Sequence, residues 1–103
     1  MSDAMKFDNG KPPIDLVSPE LITEVAKVLG YGAEKYAPHD WKKGLPLSRY
    51  YSAAMRHLLA WNSGEEEDSE SGLSHISHAS CNLMFILYFM KNKPKLDDRY
   101  LDD

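Results

Sequence analysis

The eight residues LMFILYFM, positions 83 to 90, constrain this chain more than any other stretch. They lie in a segment that reads as one helix from about Gly72 to Asn92, stopped by Pro94. A surface helix buries one stripe and keeps its other face polar, yet the second half of this one is apolar on every side. Such a helix is central to the fold or buried against a subunit partner. The run is also far short of the roughly 20 apolar residues a bilayer span requires.

Two further helices are expected upstream. Ser18-Pro19-Glu20 supplies a capping hydroxyl, a first-turn proline and a carboxylate at the positive end of the helix dipole. Leu21, Ile22, Val25, Val28 and Leu29 follow at helical spacing; Gly30 and Gly32 are expected to weaken or end that helix, with AEKY adding a turn before Pro38. The segment APHDWKKGLPLS reads as a loop. Ser48 is the expected cap of a second helix from about Arg49 to Asn62, closed near Gly64. On it, Tyr51, Met55 and Leu58 share one face, and Tyr50, Ala54, His57 and Trp61 the adjoining one.

Asn9-Gly10 and Pro12-Pro13 make residues 1–17 an extended, turn-rich arm, and residues 94–103 a charged tail expected to be loosely held. There is no convincing strand pair and no repeat. The expected fold is all-α: one domain over residues 1–103, a small bundle of three main helices with an extended N-terminal arm. So apolar a last helix gains by self-association, and a homo-oligomer is expected.

Charge narrows the partners. Sixteen acidic residues against 12 basic ones, with four histidines counted neutral, give a net charge of −4. That argues against a basic stripe for duplex nucleic acid. The single cysteine, Cys81, excludes an internal disulfide and suits a reducing compartment; its expected place is a buried helix face. The polar N-terminus, interrupted by Gly10, Pro12 and Pro13, does not read as a signal peptide. The expectation is a cytoplasmic protein without a membrane partner.

Chemistry concentrates in GEEEDSESGLSHISH, residues 64 to 78. On the third helix, His75, His78 and Asn82 fall within about 60° of one another, on a stripe that continues through Ile86 and Phe89. That stripe faces inward, so its polar groups need partners. If the second and third helices are antiparallel neighbours, His57 meets His75, and the connection brings Glu65, Asp68 and Glu70 to the same end. Imidazoles with carboxylates suit manganese, zinc, iron, cobalt or nickel better than magnesium or calcium. The spacing alone leaves two readings open: a metal or phosphate site, or structural histidines beside a solvated acidic loop. In the arm, Lys6 and Lys11 flank a turn and can close on phosphates. Trp41 is either a stacking surface for a base or a core plug, and Lys42, Lys43 and Arg56 are candidate phosphate contacts.

The arm KFDNGKPPIDLVSPELITEVAKVLGYGAEKY, the W-x-x-G loop, the R-H-L helix and the D-x-E-x-G-L-x-H-x-x-H segment together resemble the phage and prophage family named for the N-terminal domain of dATP/dGTP diphosphohydrolase. The resemblance covers roughly residues 5 to 90. It implies an all-α nucleotide pyrophosphohydrolase similar to the MazG and HisE group, which uses divalent cations, manganese or magnesium, to cleave a purine dNTP to monophosphate and pyrophosphate in the host cytoplasm. On that resemblance His57, Glu65, Asp68, His75 and His78 are metal ligands, Asp68 and Glu70 catalytic, and Lys6, Lys11, Arg56, Trp41 and Asn82 substrate contacts. The chain departs from the MazG pattern of paired acidic helix motifs by placing H-x-x-H on a helix. A non-catalytic nucleotide-binding protein, which needs only Lys6, Lys11, Arg56 and Trp41, and an acidic protein that blocks a host enzyme are the competing readings.

Overall fold

A computed structural model describes residues 10–100. Among them are three α-helices, three short 3-10 turns and no strand: α1 Pro19–Lys35, α2 Leu47–Asn62 and α3 His75–Asn92. The all-α expectation holds, and each helix corrects a detail of its predicted ends.

Helix α1 begins as expected, with the Ser18 hydroxyl accepting from the Glu20 N–H at 3.2 Å. It then runs through Gly30 and Gly32 to Lys35 without a break. Each glycine weakens a helix by about 1 kcal/mol, and the packing of α1 against α3 outweighs that. Helix α2 starts at Leu47, preceded by Pro46, so Ser48 is not its N-cap. Instead the Ser48 N–H and hydroxyl both donate to the Asp98 carboxylate. A free N–H of the first turn thus finds its acceptor 50 residues away. That bond, with Leu96 packed on the core, anchors the tail through Asp98 rather than leaving it loose. Helix α3 starts at His75, later than Gly72. Gly72 has φ +72° in the preceding turn, and the Ser74 hydroxyl accepts from the Ile76 N–H at 3.1 Å.

Helices α2 and α3 pack antiparallel, Tyr50 against Phe89 at one end and His57 against His75 at the other. The core proper is Leu47, Tyr50 and Phe89, enclosed by Trp41, Phe85, Ile86, Tyr88 and Leu96. Burial on α2 follows the Tyr50–Ala54 stripe, whereas Tyr51, Met55 and Leu58 are exposed. On α3, Leu83 and Leu87 are 52% and 69% exposed, although Cys81 and Phe89 are fully buried. Burial pushes the Cys81 thiol up to about 12, which keeps it inert. Gly10–Val17 is an exposed arm with one 3-10 turn, Ile14–Leu16. No helix is long and apolar enough to cross a membrane among the described residues.

Candidate metal centre and cleft

The polar end of the α2–α3 pair is built by the loop between them. Residues 64–74 fold back on themselves: Asp68 N–H donates to Leu73 O at 2.8 Å, and Gly72 N–H to Asp68 O at 2.8 Å. The His75 N–H donates to Glu66 O at 3.0 Å, which seats the loop on the first residue of α3. This compact loop carries Asp68 onto the histidines. The Asp68 carboxylate also accepts from the Ser71 N–H at 2.9 Å. Burial pulls its carboxyl up, but the Ser71 N–H and hydroxyl outweigh this and hold it below the ordinary aspartate value.

Three imidazoles meet there. His57 and His75 bring their Nδ1 atoms to 2.9 Å of each other, and the His57 ring stacks on His78 at 4.5 Å between centroids, nearly parallel. Burial disfavours the charged forms of His57 and His78 and holds both below the ordinary histidine value; neighbouring imidazoles reinforce this. For His78 the Asp68 carboxylate acts in the opposite sense without overcoming burial. Neutral imidazoles are the form a cation needs. The His78 Nε2 lies 2.7 Å from the Ser71 hydroxyl.

Among the described residues, His57, Asp68 and His75 offer ligand atoms all within 4.8 Å of one another. The spacing of the two Nδ1 atoms, which suits an N–H···N hydrogen bond in the free protein, is also one that fits a cation. Metal–nitrogen bonds of about 2.0–2.1 Å, at angles between octahedral and tetrahedral, separate two nitrogens by about 3 Å, which is the spacing of the two Nδ1 atoms. Further, His75 is 5% exposed and its Nε2 has no hydrogen-bond partner among the described residues. The nearest carboxylate oxygen to that nitrogen, Glu65 Oε1, stands at 3.4 Å. At that distance the Glu65 carboxylate faces the second ring nitrogen of His75 without a hydrogen bond.

The other expected residues scatter. Glu70 turns away to α1, accepting from Lys35 at 2.7 Å and from the Tyr31 hydroxyl at 3.3 Å. The Lys35 ammonium holds its carboxyl below the ordinary glutamate value. Asn82 is half-buried and donates to His78 O at 2.9 Å. Trp41 packs against Phe85, Tyr88 and Phe89, as a core plug does, while another part of it borders a cleft. Arg56 is exposed, and its charge helps keep His57 neutral. Lys11 is exposed on the arm, and Lys6 lies outside the described residues.

Sequence reasoning missed Ser71, Tyr31 and Lys35. Ser71 had no signal beyond its place in the loop. Tyr31 lies on the side of α1 that meets α3, where its ring contacts His78 edge-on. A cleft of about 580 Å³ opens between α1, the 37–45 loop and the α2–α3 pair, with His78 and Asn82 in its wall.

Two helices and their connecting loop that gather imidazoles and a carboxylate, with a third helix walling an aromatic cleft beside them, define a small all-α protein with a candidate cation centre. The chain belongs to the family described as dATP/dGTP diphosphohydrolase, N-terminal, whose sequence profile matches residues 1–99. A Salmonella phage PMBT28 protein named dATP/dGTP diphosphohydrolase is 42% identical over 95 residues, which are 92% of this chain and 32% of that protein. The chain therefore spans about a third of that relative's length. No solved structure matches it.

Proposed function

We propose that this chain is a divalent-cation-dependent hydrolase of purine deoxynucleoside triphosphates, releasing pyrophosphate and leaving the monophosphate. The observation that carries the reading is the convergence of His57, His75 and Asp68 on one point, in a chain of the dATP/dGTP diphosphohydrolase family. His57, Asp68 and His75 would hold the cation, with His78 at the border between that centre and the cleft. Bound there, a divalent cation supplies Lewis-acid stabilisation of phosphate charge and a water acidic enough to attack at neutral pH. Imidazole donors favour manganese, cobalt, nickel or zinc over magnesium.

The chain's own groups do the positioning. Glu65 faces the second nitrogen of His75 at 3.4 Å, and closing that gap on loading would set which ring nitrogen carries the proton. Ser71 orients both Asp68 and His78. Glu70, paired with Lys35, is a poor proton acceptor; its role is to tie the 64–74 loop to α1. Arg56 and the lysines of the arm, Lys6 and Lys11, supply positive charge for the triphosphate.

A second copy of the chain covers the exposed apolar stripes Tyr51–Met55–Leu58 and Ile76–Leu83–Leu87–Met90. Together they expose on the order of 700 Å² per copy, so a two-fold pairing buries on the order of 1,400 Å², within the range of stable interfaces.

The test is incubation of the protein with dATP, dGTP and pyrimidine dNTPs, each with manganese or magnesium, following pyrophosphate and monophosphate. Turnover of purine dNTPs that is lost in chelator supports the reading. No turnover with any metal, or binding that persists unchanged in chelator without hydrolysis, favours a nucleotide-sequestering protein instead.

A further inference from the structure

Helix α1 contains two interior glycines, the residue type that weakens a helix most apart from proline. Neither has a positive φ, so backbone geometry does not call for them. Gly30 faces solvent. Gly32 lines the cleft, and a Cβ built on it meets nothing within 4 Å. The missing side chain is therefore space that belongs to the cleft.

That cleft, about 580 Å³, is of the size small-molecule sites use. Its walls are mostly apolar and include the rings of Tyr31, Trp41, Tyr50 and Phe85. Most of its polar groups already have partners within the chain. Asp40 and Lys43, in its lining, pair with each other at 3.4 Å. Asn82 gives one N–H to His78 O, which leaves its other N–H and its Oδ1 for a ligand. A donor beside an acceptor matches the edge of either purine. Adenine offers an amine beside a ring nitrogen, guanine a carbonyl beside a ring N–H. The aromatic walls then favour the larger bicyclic ring through stacking area. His78, in this wall, stacks on His57, so the cleft and the cation centre adjoin across one side chain.

We infer that this cleft is the nucleobase subsite, held open by Gly32 and read by Asn82. The inference rests on the proposed nucleotide chemistry, but it does not require the cation. The experiment is NMR titration of the isotope-labelled protein in chelator with 2′-deoxyadenosine, 2′-deoxyguanosine and 2′-deoxycytidine. The expected result is saturable shifts at the amides of Gly32, Asn82 and Phe85 with both purines, and weaker binding of deoxycytidine. Gly32→Leu, which fills the cleft while favouring the helix, weakens purine binding at least 10-fold; Gly32→Ala weakens it less and melts a few degrees higher. Asn82→Leu loses about 10-fold for both purines. Shifts confined elsewhere, no saturable shifts, or a Gly32→Leu protein that binds like wild type overturns the assignment. Because the titration contains no free metal, failure of the cation centre leaves all these outcomes readable.

Discussion

The two ends of the α2–α3 pair are packed by the same pair of helices and do opposite things. At one end Tyr50, Phe85, Phe89 and Trp41 interlock with ring centroids 5.3–6.2 Å apart, in an apolar cluster completed by Leu96. At the other, ring meets ring again, but the rings are His57, His75 and His78, and one buried nitrogen has no hydrogen-bond partner among the described residues. Burying an unpaired polar atom is destabilising by about 1–3 kcal/mol. A fold keeps such an end when it has a use for it. The dry end stabilises the hairpin, and the polar end is held in place by it.

Substitutions at the dry end sharpen that contrast most strongly. Phe89→Ala removes a fully buried ring and is expected to destabilise by about 3–5 kcal/mol, read as a lower denaturant midpoint. Gly44→Ala follows. Its φ is +83° and the new Cβ would stand 2.5 Å from Leu96 Cδ1 and near Phe89, so backbone strain and a clash add up. A loss of about 2–4 kcal/mol is expected.

At the polar end the expected loss is smaller. His75→Leu removes a nitrogen with no partner among the described residues but also the 2.9 Å bond to His57 Nδ1, so a loss of about 1–2 kcal/mol in chelator is expected, less than at the dry end. Its effect appears on adding manganese. The wild type gains about 2.7 kcal/mol at a hundredfold excess over Kd, and the variant gains nothing. Thermal melts with and without metal check both statements.

Acid separates the ends too. His57 and His78 have folded-state values lowered by burial from 6.5, so below about pH 6.5 the unfolded chain binds protons that the folded one refuses. Stability of the metal-free protein is therefore level above neutrality and falls as pH drops through that value toward the folded ones. Replacing both histidines by leucine flattens the profile, whereas Phe89→Ala lowers it at every pH without changing its shape. The smallest effect on the fold is expected at the exposed stripe. Leu87→Glu is expected to leave the unfolding free energy of a single chain within about 0.5 kcal/mol and to give monomers in light scattering, against the dimers that the proposed pairing predicts for the wild type.

Much of this contrast was legible in the residues. The inward stripe of α3 follows from 3.6-residue periodicity, and the meeting of His57 with His75 follows from antiparallel packing across a short loop. The helix ends were not, because they depend on contacts distant in sequence. Asp98 takes the bonds at the start of α2 that Ser48 was expected to supply for itself, and packing carries α1 past two glycines. Within the acidic loop, three residues separated the fates of its carboxylates. Ser71 turns Asp68 inward, whereas Lys35 and Tyr31 draw Glu70 to α1, and no periodicity encodes a loop's folding back. Trp41 shows the limit differently: one side chain both plugs the core and borders the cleft.

The central claim is that His57, Asp68 and His75 form one cation centre. Its most direct test is a crystal of the protein soaked in manganese and measured at a wavelength where manganese scatters anomalously. The expected result is a peak within bonding distance of all three side chains, with Glu65 facing the far nitrogen of His75. A peak lying elsewhere, or an ordered triad with no peak at saturating manganese, would contradict it.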